Sequence, residues 1–130
     1  MVKKIAKFRF KGFRVLESSF KCTSELPNEP ENFDVDLMPS FRVAETANSV
    51  KLTLETKVRT ENSLVDIYVK AESMFEFDDD LNDEEQQLYF RKNAPAIMFP
   101  YVRAYISSLS VLSGIPPITL PTINLAINSK

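Results

Sequence analysis

The side chains that most often carry out chemistry are scarce in this sequence. Histidine is absent, so there is no imidazole base, no Ser-His-Asp or Cys-His pair, and no imidazole metal ligand. Cys22 is the single cysteine, which excludes an internal disulfide and a thiolate zinc site. Gly12 and Gly114 are the only glycines, whereas loops that cradle phosphate need several close together, so P-loop and dinucleotide fingerprints are ruled out. Carboxylates remain. The run Asp78, Asp79, Asp80, Leu81, Asn82, Asp83, Glu84, Glu85 starts like a calcium loop, but Asp83 stands where that loop needs glycine and Tyr89 where it needs Glu. It reads as a solvated acidic turn leading into a helix. Nothing selects a catalytic carboxylate pair. A non-enzymatic protein without a cofactor is expected.

Charge offers a second kind of chemistry. The formal net charge is −2, but the ends of that balance are separated along the chain. Residues 1–22 carry Lys3, Lys4, Lys7, Arg9, Lys11, Arg14 and Lys21 against Glu17 alone, and residues 72–85 carry acids and no base. The basic stretch is interleaved with Phe8, Phe10 and Phe13, and Lys11-Gly12-Phe13 begins like an RNA-binding RNP1 motif before Arg14 departs from it. Such a strand could stack bases and pair phosphates, as a single-stranded RNA- or DNA-binding module does. The preferred reading is an edge strand whose lysines deter edge-to-edge pairing. Cys22 is expected as a small packing residue.

These residues must be positioned by one domain, 1–130, since domains commonly run from about 50 to 250 residues. Hydrophobic content of 44% and charged content of 26% are ordinary for a globular core. Residues 5–14 are too charged for a signal peptide, and no stretch nears the roughly 20 apolar residues of a membrane span. A cytoplasmic protein without membrane insertion is expected. Apolar and polar residues alternate over 50–59 and again over 64–77, where Val65, Ile67, Val69, Ala71, Ser73, Phe75 and Phe77 share one face. Glu61, Asn62 and Ser63 join these two strands as a hairpin. Phe33, Val35 and Leu37 begin another strand, which Phe41 and Val43 extend past Pro39. The first strand changes phase near Gly12, as a bulge would make it do, and resumes with Leu16, Ser18 and Phe20. Asn82 and Glu85 fit a helix capping box. Pro95 and Pro100 are expected to interrupt any helix there. Beyond them Met98, Val102, Tyr105, Leu109 and Leu112 form an apolar stripe, and Gly114 ends the helix. Strands followed by helices predict an α+β fold: a four-stranded antiparallel sheet followed by a long, broken C-terminal helix.

The C-terminal third carries a resemblance. Pro95-Ala96-Ile97-Met98-Phe99-Pro100-Tyr101-Val102-Arg103 is similar to the signature of the SecB family of protein-export chaperones. Gly114-Ile115-Pro116-Pro117-Ile118-Thr119-Leu120-Pro121-Thr122-Ile123-Asn124 resembles that family's Gly-x-Phe-Pro-Pro segment, at matching distance. The resemblance implies an ATP-independent holdase that binds unfolded polypeptide in apolar grooves. It implies client contacts at Phe75, Phe77, Phe99, Tyr101, Tyr105, Ile115, Ile118, Leu120 and Ile123. It further implies a dimer of dimers, with Met98, Val102, Leu109 and Leu112 between subunits. Glu17, Glu72 and Glu76 are the acids that would meet the translocation motor SecA. Departures are visible. Glu72-Ser73 stands where the family has Gly-Gly, Ala104 replaces an acid, Lys21 replaces another, and the second helix and acidic tail of typical members do not follow Asn124. These departures favour a dedicated client, such as an antitoxin, over general export.

Overall fold

A computed structural model describes residues 8–23, 33–43, 48–60, 64–78, 83–88 and 92–120, and of 33–43 the backbone path alone. The period-two stretches form β3 (Ser49–Thr60) and β4 (Val65–Phe77). Every second residue faces inward, including Leu52, Leu54 and Val58 of β3 and Ile67, Val69, Ala71, Phe75 and Phe77 of β4. The two strands are antiparallel, with Leu52 opposite Ser73 and Val58 opposite Ile67. At their shared end the Thr60 hydroxyl accepts hydrogen bonds from the Leu64 and Val65 amides at 3.0 and 3.1 Å. The hairpin turn read at Glu61, Asn62 and Ser63 lies outside the described residues. β1 (Phe8–Cys22) pairs with β4, and β2 (Phe33–Val43) pairs with β3, so the antiparallel order is β1-β4-β3-β2. β1 from Arg9 onward, β3 and β4 are defined down to their side chains. β2 runs through Pro39 on the sheet's edge, the one place a strand tolerates a residue without an amide hydrogen.

The register of β1 slips twice, between Phe10 and Gly12 and again between Val15 and Glu17. The first slip is the bulge expected near Gly12. The second corrects the reading of Leu16, which is the extra residue of its own bulge and is 47% exposed. Ser18 and Phe20 therefore share the inner face with Phe10, Phe13 and Val15. Cys22 is exposed at the strand's end, contrary to expectation, and its thiol donates to the Thr23 carbonyl at 3.1 Å.

After the short α1 (Asp83–Leu88), the 19-residue α2 (Ala94–Leu112) lies over the inner face of the sheet. The two prolines do not interrupt it. Pro95 sits in the first turn, where its missing amide hydrogen has no intrahelical acceptor to lose. Pro100 removes the bond to the Ala96 carbonyl, but both residues are exposed, so that carbonyl opens to solvent. The buried row is Ala94, Met98, Val102, Ile106 and Ser110, one residue in four. A row of that spacing is inclined to the helix axis by roughly 26°, which suits a straight helix on a twisted sheet. The predicted stripe therefore splits. Met98 and Val102, read as contacts between subunits, are wholly buried against the chain's own sheet, while Leu112 is 85% exposed. At the C-terminus Gly114 adopts a φ of +90°, with its amide bonded to the Val111 carbonyl and that of Ile115 to the Ser110 carbonyl. This is the double bond of a Schellman stop, and it turns the chain back along α2.

Burial of Met98 in the core predicts that Met98→Ala lowers stability by about 2–5 kcal/mol in urea unfolding. An unchanged unfolding midpoint would place Met98 outside the core.

Candidate functional site

Two features flank α2. On one side it meets β1. Phe10 and Phe13 point inward from β1, and the Tyr101 ring stacks on both, with centroids 5.2 and 5.4 Å apart. Phe10 also touches Phe75 at 5.6 Å, so an aromatic series runs from the core to the surface, where Tyr101 is 46% exposed. Further along the seam the Tyr105 and Ser18 hydroxyls share a hydrogen bond of 2.8 Å. On the other side lies the returning segment 115–120. The Ser107 hydroxyl donates to the Ile118 carbonyl at 2.7 Å, and the Arg103 Nε–H donates to the Leu120 carbonyl at 2.8 Å. Two side chains four apart on a helix thus hold carbonyls two apart on an extended chain. These bonds read backbone and carry no side-chain specificity.

The expected client residues fall into two layers. Phe75, Phe77, Phe99, Ile115 and Leu120 are buried, so they support the surface rather than form it. Tyr101, and in part Tyr105 and Ile118, reach solvent. Ile123 lies outside the described residues. Phe10, Phe13, Arg103 and Ser107 were not singled out for this site. The two phenylalanines had been read as half of a basic-aromatic strand, and Arg103 as part of a motif.

The remaining face of α2 is unusual in its lack of charge. Arg103 is the only charged residue of the helix, and it is occupied by the Leu120 carbonyl. Ala96, Pro100, Ala104, Ser108, Val111 and Leu112 are exposed. Leu109, read as a contact between subunits, is partly buried.

The opposite face of the sheet is charged. Glu72 pairs with Lys51 at 3.5 Å, and Glu76 lies 3.9 Å from Lys11 and 4.0 Å from Arg9. The Tyr68 hydroxyl donates to Glu55, which pushes its pKa up to about 12. Glu17, opposite Lys70, is on this face too. The three acids read as a motor contact therefore do share a face, but Glu72 and Glu76 are matched by cations. The pleat also separates the elements of the nucleic-acid reading. Phe10 and Phe13 turn to α2, whereas Arg9 and Arg14, opposite Glu76 and Glu72, turn away. Bases stacked on one face could not bring phosphates to the other.

Among the described residues no helix is long and apolar enough to cross a membrane, and no group of three or more His, Cys, Asp or Glu could hold a metal. The uncharacterized protein MJ0357 of Methanocaldococcus jannaschii is 38% identical over 125 residues, covering 91% of this chain and 79% of that one. The structure of the Mycobacterium tuberculosis Rv1957 SecB-like chaperone, in complex with a ChAD peptide from the Rv1956 HigA1 antitoxin, matches with a TM-score of 0.72. That match covers 90% of this chain and 88% of the other at 17% identity, a likeness of fold. The family model described as preprotein translocase subunit SecB matches residues 16–127. With that match across most of its length, on an antiparallel sheet covered by one long helix, the chain belongs to the SecB family of chaperones, whose members are not enzymes.

Proposed function

We propose that the chain is an ATP-independent holdase of the cytoplasm that binds unfolded polypeptide at the apolar surface flanking α2. The observation that carries this reading is Tyr101, nearly half exposed, stacked on Phe10 and Phe13 beside a helix face without charge. A rigid aromatic surface of this kind offers contact area at little cost in conformational entropy and demands no single partner sequence. The segment 115–120 extends the surface through Ile118. Its main-chain bonds to Ser107 and Arg103 support a surface that takes up extended chain without reading its side chains. The fold shared with Rv1957, solved with an antitoxin peptide, supports a polypeptide ligand, and a dedicated client is favoured over general export. A contact with the SecA motor is not favoured, because cations already face Glu72 and Glu76.

Assembly follows from the same helix. The exposed row Ala96, Pro100, Ala104 and Ser108 is small and uncharged, and Val111 and Leu112 flank it. Small residues let helices approach closely, and contiguous exposed apolar surface marks an interaction site. This row, rather than Met98 and Val102, is the proposed contact between subunits of a homotetramer.

Two measurements test these readings. In an assay of aggregation suppression, Tyr101→Ala and Ile118→Ser should each weaken client holding by about tenfold, at a cost of about 1–2 kcal/mol in stability that leaves the chain folded. Leu120→Ser should instead cost several kcal/mol of stability, about 2–5, because Leu120 is buried. Full holding by folded Tyr101→Ala would place the site elsewhere. In light scattering, Ala104→Glu with Ser108→Glu should convert the assembly to smaller species. A wild-type protein that is monomeric at micromolar concentration would refute the tetramer.

A further inference from the structure

The face of the sheet turned away from α2 holds a hollow that the client reading does not use. Its volume is about 500 Å³, and it opens where the bulge at Lys11 lifts β1 out of register with β4. A Cβ placed on Gly12 would meet nothing within 4 Å, so the rim is unobstructed. Met74 lies at its centre, directly opposite Gly12 and partly buried. Lys11, Arg14 and Lys51 line it, together with Glu72 and Glu76.

The carboxylates in this hollow are engaged. Glu72 is paired with Lys51 and Glu76 with Lys11, while Arg9, 4.0 Å from Glu76, is bonded to Asp78 at 2.5 Å. Arg14 is exposed and has no ion pair among the described residues. Three cations against two carboxylates leave one positive charge in excess, and Arg14 is the group that carries it. The occupant this arrangement recognises is therefore anionic at one point and apolar at another. A nucleic acid fits poorly: Glu72 and Glu76 repel a continuous polyanion, and the rings of Phe10 and Phe13 are turned to the other face. A basic segment would find both carboxylates of the hollow already matched.

We propose that this hollow docks an acidic peptide segment of a partner protein, with a carboxylate on the Arg14 guanidinium and an apolar side chain on Met74. Guanidinium and carboxylate match in a forked geometry, which gives the contact orientation as well as charge. The thickness of the sheet separates this site from Tyr101 and Ile118. One subunit can therefore hold an unfolded client on one face and a partner on the other, and the docking does not depend on the chaperone reading.

The test uses a fluorescein-labelled peptide of about twelve residues, Glu and Asp around one central Leu, followed by anisotropy. At about 50 mM salt it should bind the full chain, and binding should weaken steeply by about 300 mM, as a screened ion pair requires. A Lys and Arg peptide of equal length should not bind. Arg14→Glu with Lys11→Glu, both at exposed positions, should weaken the acidic peptide by about tenfold or more and leave aggregation suppression at the wild-type level. Met74→Glu, which alters the floor without touching an ion pair, should weaken it as well. The proposal is overturned if the acidic peptide does not bind the wild type, or binds both folded variants as well as it binds the wild type. It is equally overturned if an oligodeoxynucleotide of the same length binds as tightly, which would assign the hollow to phosphate.

Discussion

The structure depends on one constraint: the sheet is apolar on a single face, and one helix must cover it. The inner side chains of β3 and β4 are buried without exception, while their outer neighbours, Met74 apart, are charged or polar. At 1.5 Å per residue a 19-residue helix spans about 28 Å, enough to cross such a sheet once. The turn at Gly114 then brings residues 115–120 back beside α2, where Ile115 and Leu120 complete the core. Burying one side of α2 so fully leaves its other side uncovered by the described residues. The uncharged outer row of the helix is the consequence, and both proposed interactions of this face start from it.

The two faces of the sheet divide the chemistry. On the inner side, several polar groups serve the backbone: Arg103 and Ser107 hold carbonyls, and Thr60 holds amides. On the outer side, cross-strand pairs such as Lys51 with Glu72 set unlike charges against each other. Exposed pairs of this kind contribute little stability, about 0–1 kcal/mol each. Their larger effect is on which partners the face can accept.

How much of this was legible in the sequence varies with the residue. The alternation of β3 and β4 and the slip at Gly12 were visible because a half-buried strand repeats every two residues and glycine marks the break. The bulge at Leu16 was not, since no glycine marks it and register is set by the partner strand. Pro100 was misread because proline's cost depends on whether the carbonyl it frees is buried, which only the fold decides. The apolar stripe of α2 was visible but does not face one way: on a twisted sheet burial follows every fourth residue, so Met98 and Val102 turn to the chain's own sheet while Leu112 turns outward. The family motif pointed to α2 and the segment after it, yet of the client contacts it implied, Phe75, Phe77 and Leu120 are buried.

The central claim is that unfolded polypeptide lies along the flanks of α2. Site-specific photo-crosslinking tests it directly, with a benzoylphenylalanine placed at Tyr101, at Ile118, and at Lys57, an exposed position on β3. With a chemically unfolded client, crosslinks are expected from Tyr101 and Ile118 and not from Lys57. Crosslinks from Lys57 alone, or equally from all three positions, would contradict the account.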